Sequence, residues 1–594
     1  MANPIPIELL VAGRDLTEPK LSPDGEFVAF VQRWRSATAI VLVPVAGGPE
    51  RLLTAGPDPT PGRGMGGGCF DWYPDGTGVA YCAGGELWFQ PLAGTAAQLT
   101  ALGREVRAPA CAPDGSFVVF AVDEAEIWKL PLTGDSGATE PARLDDGADA
   151  FCFDPAVAPC SSTVVWQAWS PPAMPWDAAH VVTAAVATGE LDRWRPADAA
   201  VQQPRFMPDG TGACVHDASG WLNVYVGDDP LLAEPSEHAG PTWGMGQRSF
   251  TPSPDGRHVA FCRNEAGFGR LCVVEVATGG VTDVGRGGHG QLTWLGNDLV
   301  ALRTGAVTPT QVVRYDMSAL DDSPGAKPPR TVLAVGPPFG WSGHDLPEPQ
   351  LIEADAGGVT LHARRYAAGD GRMLCWVHGG PTDQWQADFR PRISYWWSRG
   401  WDVLVVDPRG TTGHGRDYQR ALNGQWGRLD VDDTAVLLAH AHTQGWSRPE
   451  STAIVGGSSG GLTVLGVLAD HPDLVACGVA SYPVADLASL ADVTHRFEAH
   501  YTDTLVGASS FEELSPIHRA ARITAPLLLF HGTDDEVVPI AQSESVAAAI
   551  RAAGGSVELV VYDGEGHGFR DPVNVRDEYD RTERFLAGSV TPWQ

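Results

Sequence analysis

Acyl-transfer chemistry started by a hydroxyl needs a serine on a sharp turn, a histidine to take its proton, and a carboxylate to fix the histidine's tautomer. The 594-residue chain presents these residue types in that order. The segment Gly456-Gly457-Ser458-Ser459-Gly460-Gly461 follows the apolar run Thr452–Val455 and precedes Leu462, Leu465 and Leu468 at helical spacing. Strand, tight turn and helix make a nucleophile elbow out of a Gly-x-Ser-x-Gly string, because small neighbours let the strained turn project its hydroxyl. Two registers fit, one centred on Ser458 and one on Ser459. Downstream, Leu527–Phe530 runs into His531-Gly532-Thr533-Asp534-Asp535, and Val557–Tyr562 into Asp563-Gly564-Glu565-Gly566-His567-Gly568-Phe569. A carboxylate from the first loop would orient His567, and His567 would act as general base. His378-Gly379-Gly380-Pro381, after Met373–Val377, offers backbone N–H groups for a developing oxyanion, beside the N–H that follows the nucleophile. The chain has no His-Glu-x-x-His and no Gly-x-Gly-x-x-Gly opening a helix after a strand, so neither a metal nor another cofactor is expected.

Positioning such loops is the work of the strands that precede them. Met373–Val377, Val403–Val406, Thr452–Val455, Cys477–Tyr482, Leu527–Phe530 and Val557–Tyr562 are apolar without polar alternation and are separated by helix-like stretches. That pattern describes a doubly wound, mostly parallel sheet buried on both faces, with function gathered at the carboxyl ends of its strands.

The first half reads differently. Pro-Asp-Gly followed by an apolar run recurs at Pro23, Pro74, Pro113, Pro208 and Pro254. A degenerate copy starts at Pro159 and a seventh at Trp294. The period, about 46 residues, suits a four-stranded blade, and seven blades suit a β-propeller. In each turn Pro sets φ, Asp bonds the backbone two residues on, and Gly takes the positive φ that closes the hairpin. Asp321–Arg330 reads as the connection. The expected organisation is an N-terminal segment 1–18, a seven-bladed propeller 19–325 and an α/β-hydrolase domain 326–594. The glycine-rich stretch 62–68 is expected to be a propeller loop rather than a phosphate cradle.

Composition narrows the classes. The formal net charge is −32, which disfavours nucleic acid or an anionic membrane as partner. No apolar run reaches 18 residues, and MANPIPIELLVAGRDL, with no basic n-region and no small-residue cleavage site, is not expected to act as a secretory signal. Ten cysteines are scattered without a CxxC pair, as expected for reduced thiols and a cytoplasmic location.

With both halves read, the chain resembles the prolyl oligopeptidase family of serine peptidases, nearest its acylaminoacyl-peptidase and bacterial aminopeptidase branch. The resemblance is carried by WVHGGP, DPRGTTGHGRDY, GGSSGG, HGTDDEVVP and GEGHGF, between Trp376 and Phe569. The family elbow implies Ser458 as nucleophile with Ser459 as an oxyanion donor. The acid four residues after the His of the HG motif implies Asp535, and the base His567. Prolyl-specific members carry a Tyr where His378 stands, so here the backbone of Gly379 and Gly380 is expected to complete the oxyanion hole, without strict proline specificity. The resemblance also implies that residues 1–18 pack on the hydrolase domain and that the propeller admits only short peptides.

The expected activity is therefore hydrolysis of short peptides or aminoacyl amides, puromycin among them, by an aminopeptidase. The alternatives are an acylaminoacyl peptidase, a carboxylesterase, and a non-catalytic propeller that docks a partner. Tyr482, Phe497 and Glu498 are the candidate substrate-binding residues, with Glu124 and Glu126 as further carboxylates for a substrate ammonium. Oligomeric state is left open.

Overall fold

The Pro-Asp-Gly turns do what their chemistry dictates. In this computed structural model, which describes residues 3–34, 37–62, 66–132, 140–322, 325–337 and 340–592, Asp24, Asp75, Asp114, Asp209 and Asp255 each accept the backbone N–H two residues on, at 2.9–3.0 Å. The glycine of each turn has φ between 71° and 91°. Each turn joins the first and second strands of a four-stranded antiparallel sheet, and seven such sheets follow one another over residues 14–335. The degenerate turn at Pro159 and the turn at Trp294 occupy the same place in their own sheets. Second strands such as Phe117–Val122 are buried along their whole length, because adjacent blades cover both faces. The result is a seven-bladed propeller. Of the glycine-rich stretch 62–68, residues 63–65 lie outside the described residues, as do 323–324 of the expected connection.

The second unit is built on one eight-stranded sheet of β1 (Gln350–Asp355), β2 (Thr360–Tyr366), β3 (Arg372–Val377), β4 (Trp401–Asp407), β5 (Thr452–Gly457), β6 (Cys477–Ser481), β7 (Leu527–Gly532) and β8 (Val557–Tyr562). Their order is β1-β2-β4-β3-β5-β6-β7-β8. The first two strands pair antiparallel and all pairs from β4 onward are parallel. This is the α/β-hydrolase sheet. Helices α1 (Pro391–Trp397), α2 (Leu429–Thr443), α3 (Ser459–Asp470), α4 (Ala541–Ala552) and α5 (Pro572–Ser589) accompany it. Its main core joins Cys375, Val377, Leu404, Val406, Ile454, Leu465, Leu468 and Leu529.

The boundaries differ from those expected. The chain divides into 14–337 and into 1–13 with 338–594, not at 18 and 325. Residues 14–18 already belong to the first propeller strand, Arg14–Leu21, and the last blade ends only with Arg330–Val335, since each edge strand needs its ladder partner. Residues before Gly13 belong to the hydrolase unit: Ile5 N–H donates to Ser398 Oγ at 3.0 Å, Arg399 donates to the Ile5 carbonyl at 3.0 Å, and Arg576 donates to Glu8 at 2.8 Å. Among the described residues no helix is long and apolar enough to cross a membrane.

Candidate active site

β5 ends at Gly457 and α3 begins at Ser459, so Ser458 is the hinge between them, with φ 56° and ψ −124°. That conformation is costly for a residue with a Cβ and persists only where neighbours fix it. Here the Ser458 N–H donates to the Ser481 carbonyl at 3.1 Å, and the Ser458 carbonyl accepts the Gly461 N–H at 2.9 Å. The turn is tight against β3: a Cβ on Gly460 would stand 2.3 Å from the Val377 carbonyl oxygen. Small residues at the elbow are therefore a steric requirement.

Asp535 lies three residues beyond β7, buried, while Asp534 is exposed and takes a hydrogen bond from Thr533. Asp535 Oδ2 accepts from His567 Nδ1 at 2.8 Å, and Oδ1 accepts the N–H groups of Val537 and Val538, each at 2.9 Å. Burial by itself would raise this carboxyl, but hydrogen bonds from His531, His567 and the backbone outweigh it and hold it well below the usual carboxylate range. With Nδ1 donating to a carboxylate, His567 keeps Nε2 free to accept a proton. Tyr482 packs on the His567 ring with centroids 4.5 Å apart. Glu565 fastens the histidine loop: its carboxylate accepts the N–H groups of Arg570 and Asp571 and the Asn574 amide, all at 2.9 Å, and its carbonyl accepts the Asp534 N–H at 2.9 Å.

Ser458, His567, Gly379 and Gly380 line one cavity of about 320 Å³. No hydrogen bond joins Ser458 to His567 in this structure, a looseness common before substrate is bound. Gly380 has φ 125°, and a Cβ there would meet Thr382 N at 3.0 Å and Asp383 Cβ at 3.1 Å. His378 is buried, with Nδ1 2.7 Å from the Gly379 carbonyl and Nε2 2.9 Å from the Thr411 hydroxyl, so its ring braces the loop. Ser459, the first residue of α3, holds its hydroxyl against Trp426 Nε1 at 3.0 Å. Beyond Gly380, Tyr501 donates to Thr382 Oγ1 at 2.6 Å, and Gln384 donates to Asp407 at 2.9 Å. Asp407 is buried with Arg364, which donates to it at 2.5 and 2.7 Å, and with His414 at 2.8 Å.

Tyr482 belongs to the cavity wall; Phe497 and Glu498 do not line it. They sit on a single 3-10 turn, where Phe497 is buried and Glu498 lies 3.6 Å from His495. Glu126, in the propeller, pairs with Arg104 and Arg143 at 2.8 and 3.1 Å. Sequence reasoning missed most of the wall: Trp376, Trp385, Trp396, Tyr579, Asp383 and the Arg392–Glu578 pair. A signal for Glu578 existed, since Glu578, Tyr579, Thr582 and Leu586 share the buried face of α5. Among the described residues no group of three or more His, Cys, Asp or Glu could hold a metal ion.

The sequence profile of the prolyl oligopeptidase family matches residues 387–591. That segment belongs to the prolyl oligopeptidase family. The dipeptidyl peptidase family member 6 of Caenorhabditis elegans is 31% identical over 38% of this chain and 32% of its own length. The acylamino-acid-releasing enzyme of Arabidopsis thaliana is 30% identical over 33% of this chain and 27% of its own. The chain thus matches about a third of the length of these curated relatives. A solved structure of a puromycin-hydrolyzing peptidase from Mycobacterium tuberculosis is similar over 98% of this chain and 95% of its own, with TM-score 0.88 and 26% identity. The likeness therefore extends from the family segment through the propeller.

Proposed function

We propose that the protein is a serine aminopeptidase that hydrolyses the amide bond after the first residue of short peptides and aminoacyl amides. The observation that carries this is the Asp535–His567 pair, whose imidazole lines one cavity with the strained Ser458. Ser458 Oγ attacks the scissile carbonyl carbon while its proton passes to His567 Nε2. The carbonyl oxygen becomes an oxyanion that accepts from the Ser459 N–H and from a Gly379 or Gly380 N–H. As the carbon–nitrogen bond breaks, His567 returns the proton to the departing amine, leaving an acyl ester on Ser458. Water, deprotonated by the same nitrogen, then releases the acid and restores the serine.

The aminoacyl-amide substrate class is supported by the near full-length likeness to a puromycin-hydrolyzing peptidase. The match to an acylamino-acid-releasing enzyme favours a second reading, removal of N-acylated residues. Hydrolysis of L-aminoacyl-4-nitroanilides beside their N-acetyl counterparts, with Ser458→Ala as control, tests both. Activity confined to free amines and lost in Ser458→Ala is expected. Activity confined to acetylated substrates would replace the first reading with the second.

A further inference from the structure

Besides the His567 ring and the phenols of Tyr482 and Tyr579, three ionisable side chains line the catalytic cavity: Asp383, Arg392 and Glu578. Arg392 and Glu578 are 3.5 Å apart, and Ser481 donates to the other Glu578 oxygen at 3.3 Å. That pair is neutral as a unit. Asp383 is not so matched. Among the described residues no side chain hydrogen-bonds or ion-pairs with its carboxylate, and the donor beside it is the backbone N–H of Gln384. His378 and Arg390 act on it only at range, the first held by Gly379 and Thr411, the second lying over the Trp385 ring at 4.4 Å. Burial raises the Asp383 carboxyl, against a partial lowering by His378, the Gln384 N–H and Arg390. The cavity therefore carries one carboxylate in excess, beside the aromatic walls of Trp376 and Trp385.

We propose that Asp383 receives the α-ammonium of the substrate and makes the site select free over blocked amino termini. This rests on the aminopeptidase reading above. The geometry is local. Asp383 stands three residues after Gly380, with its Cβ 3.1 Å from where a Gly380 Cβ would be. The scissile carbonyl oxygen lies on the N–H groups of that loop, and the α-nitrogen is two bonds from the carbonyl carbon, roughly 3 Å from the oxygen. A substrate held by its carbonyl thus brings its ammonium to the neighbouring side chain. An N-acyl substrate would instead set a neutral amide against a half-buried carboxylate that no described side chain pairs with directly, which discriminates against it.

The test compares kcat/KM for L-alanyl- and L-phenylalanyl-4-nitroanilide with their N-acetyl forms, in the full-length protein and in Asp383→Asn. The free-over-acetyl ratio is expected to fall about 100-fold or more, mostly through KM. Asp383→Glu, which keeps the charge, should hold the ratio within about tenfold of the parent. A structural role would lower both substrates together and leave the ratio in place, which overturns the proposal. If Asp383→Asn fails to fold, judged by its melting curve, Asp383→Ser takes its place. A parent protein that cleaves free amines with a ratio unmoved by either variant overturns the assignment of Asp383 alone. A parent protein that cleaves only acetylated substrates overturns the aminopeptidase reading and this inference with it.

Discussion

Replacing Asp535 with Asn changes one atom and, by the geometry here, inverts the histidine. Two N–H groups, from Val537 and Val538, converge on Oδ1 at 2.9 Å each. An Asn at this position must turn its carbonyl oxygen toward them, because its NH2 cannot accept. The NH2 then points at His567 Nδ1, which lies 2.8 Å from Oδ2. A ring nitrogen faced by a donor must accept, so the proton moves to Nε2 and the imidazole can no longer take a proton from Ser458. The negative charge that would stabilise the imidazolium is lost as well. A wrong tautomer in such a triad costs about 10⁴ in kcat, equivalent to about 5.4 kcal/mol on the barrier. The assay is steady-state kcat on the best aminoacyl arylamide, at a temperature well below the melting midpoint of both proteins. A loss smaller than about tenfold in a folded Asp535→Asn protein would refute the orienting role. So would a 10⁴-fold loss in Asp534→Asn instead, since Asp534 is exposed and bonded to Thr533.

Three other perturbations separate chemistry from scaffold. Gly380→Ala places a Cβ within 3.1 Å of Thr382 N and Asp383 Cβ at φ 125°; the displaced loop should lower kcat about 10²-fold, the scale of one lost oxyanion donor, with little change in melting temperature. Asp407→Ala leaves the buried Arg364 guanidinium without its partner, which should destabilise the hydrolase unit by about 3–5 kcal/mol in urea unfolding; an unchanged midpoint would contradict the ion-pair account. Asp407 and Asp535 are both held below the usual carboxylate range, despite burial, by hydrogen bonds and opposite charge. A carboxylate lowered in the folded state contributes stability that is complete above its unfolded pKa, about 3.9, and is lost as pH falls toward the folded value. The melting temperature should therefore drop below about pH 4, less steeply in Asp407→Asn; a flat profile from pH 5 to 2 would contradict it.

The propeller was readable because its turns are chemically determined. Pro-Asp-Gly needs no tertiary help to form an Asx turn, so five copies announced their sheets, and the weak sixth and seventh followed from the period. The parallel strands were equally plain, being short apolar runs ending in polar loops. The domain edges were not plain, because Arg14–Leu21 and Arg330–Val335 are edge strands with mixed polarity whose placement depends on pairing with other strands. Within the site, the elbow and the histidine loop carry sequence signals because their glycines are sterically required. The cavity wall carries none of that kind. Trp376, Trp396 and Tyr579 look like any core aromatic, and Asp383 looks like a loop carboxylate until it is seen that no side chain among the described residues pairs with it. Glu498 and Glu126 looked eligible as ammonium partners for the complementary reason: sequence does not show that His495, Arg104 and Arg143 stand beside them.

The central claim is that Ser458 is the nucleophile. Labelling the intact protein with a fluorophosphonate, digesting it and mapping the adduct by tandem mass spectrometry tests this directly. The account predicts one adduct, on Ser458, retained in Ser459→Ala and absent in Ser458→Ala. An adduct on Ser459, or labelling that survives Ser458→Ala, would contradict it.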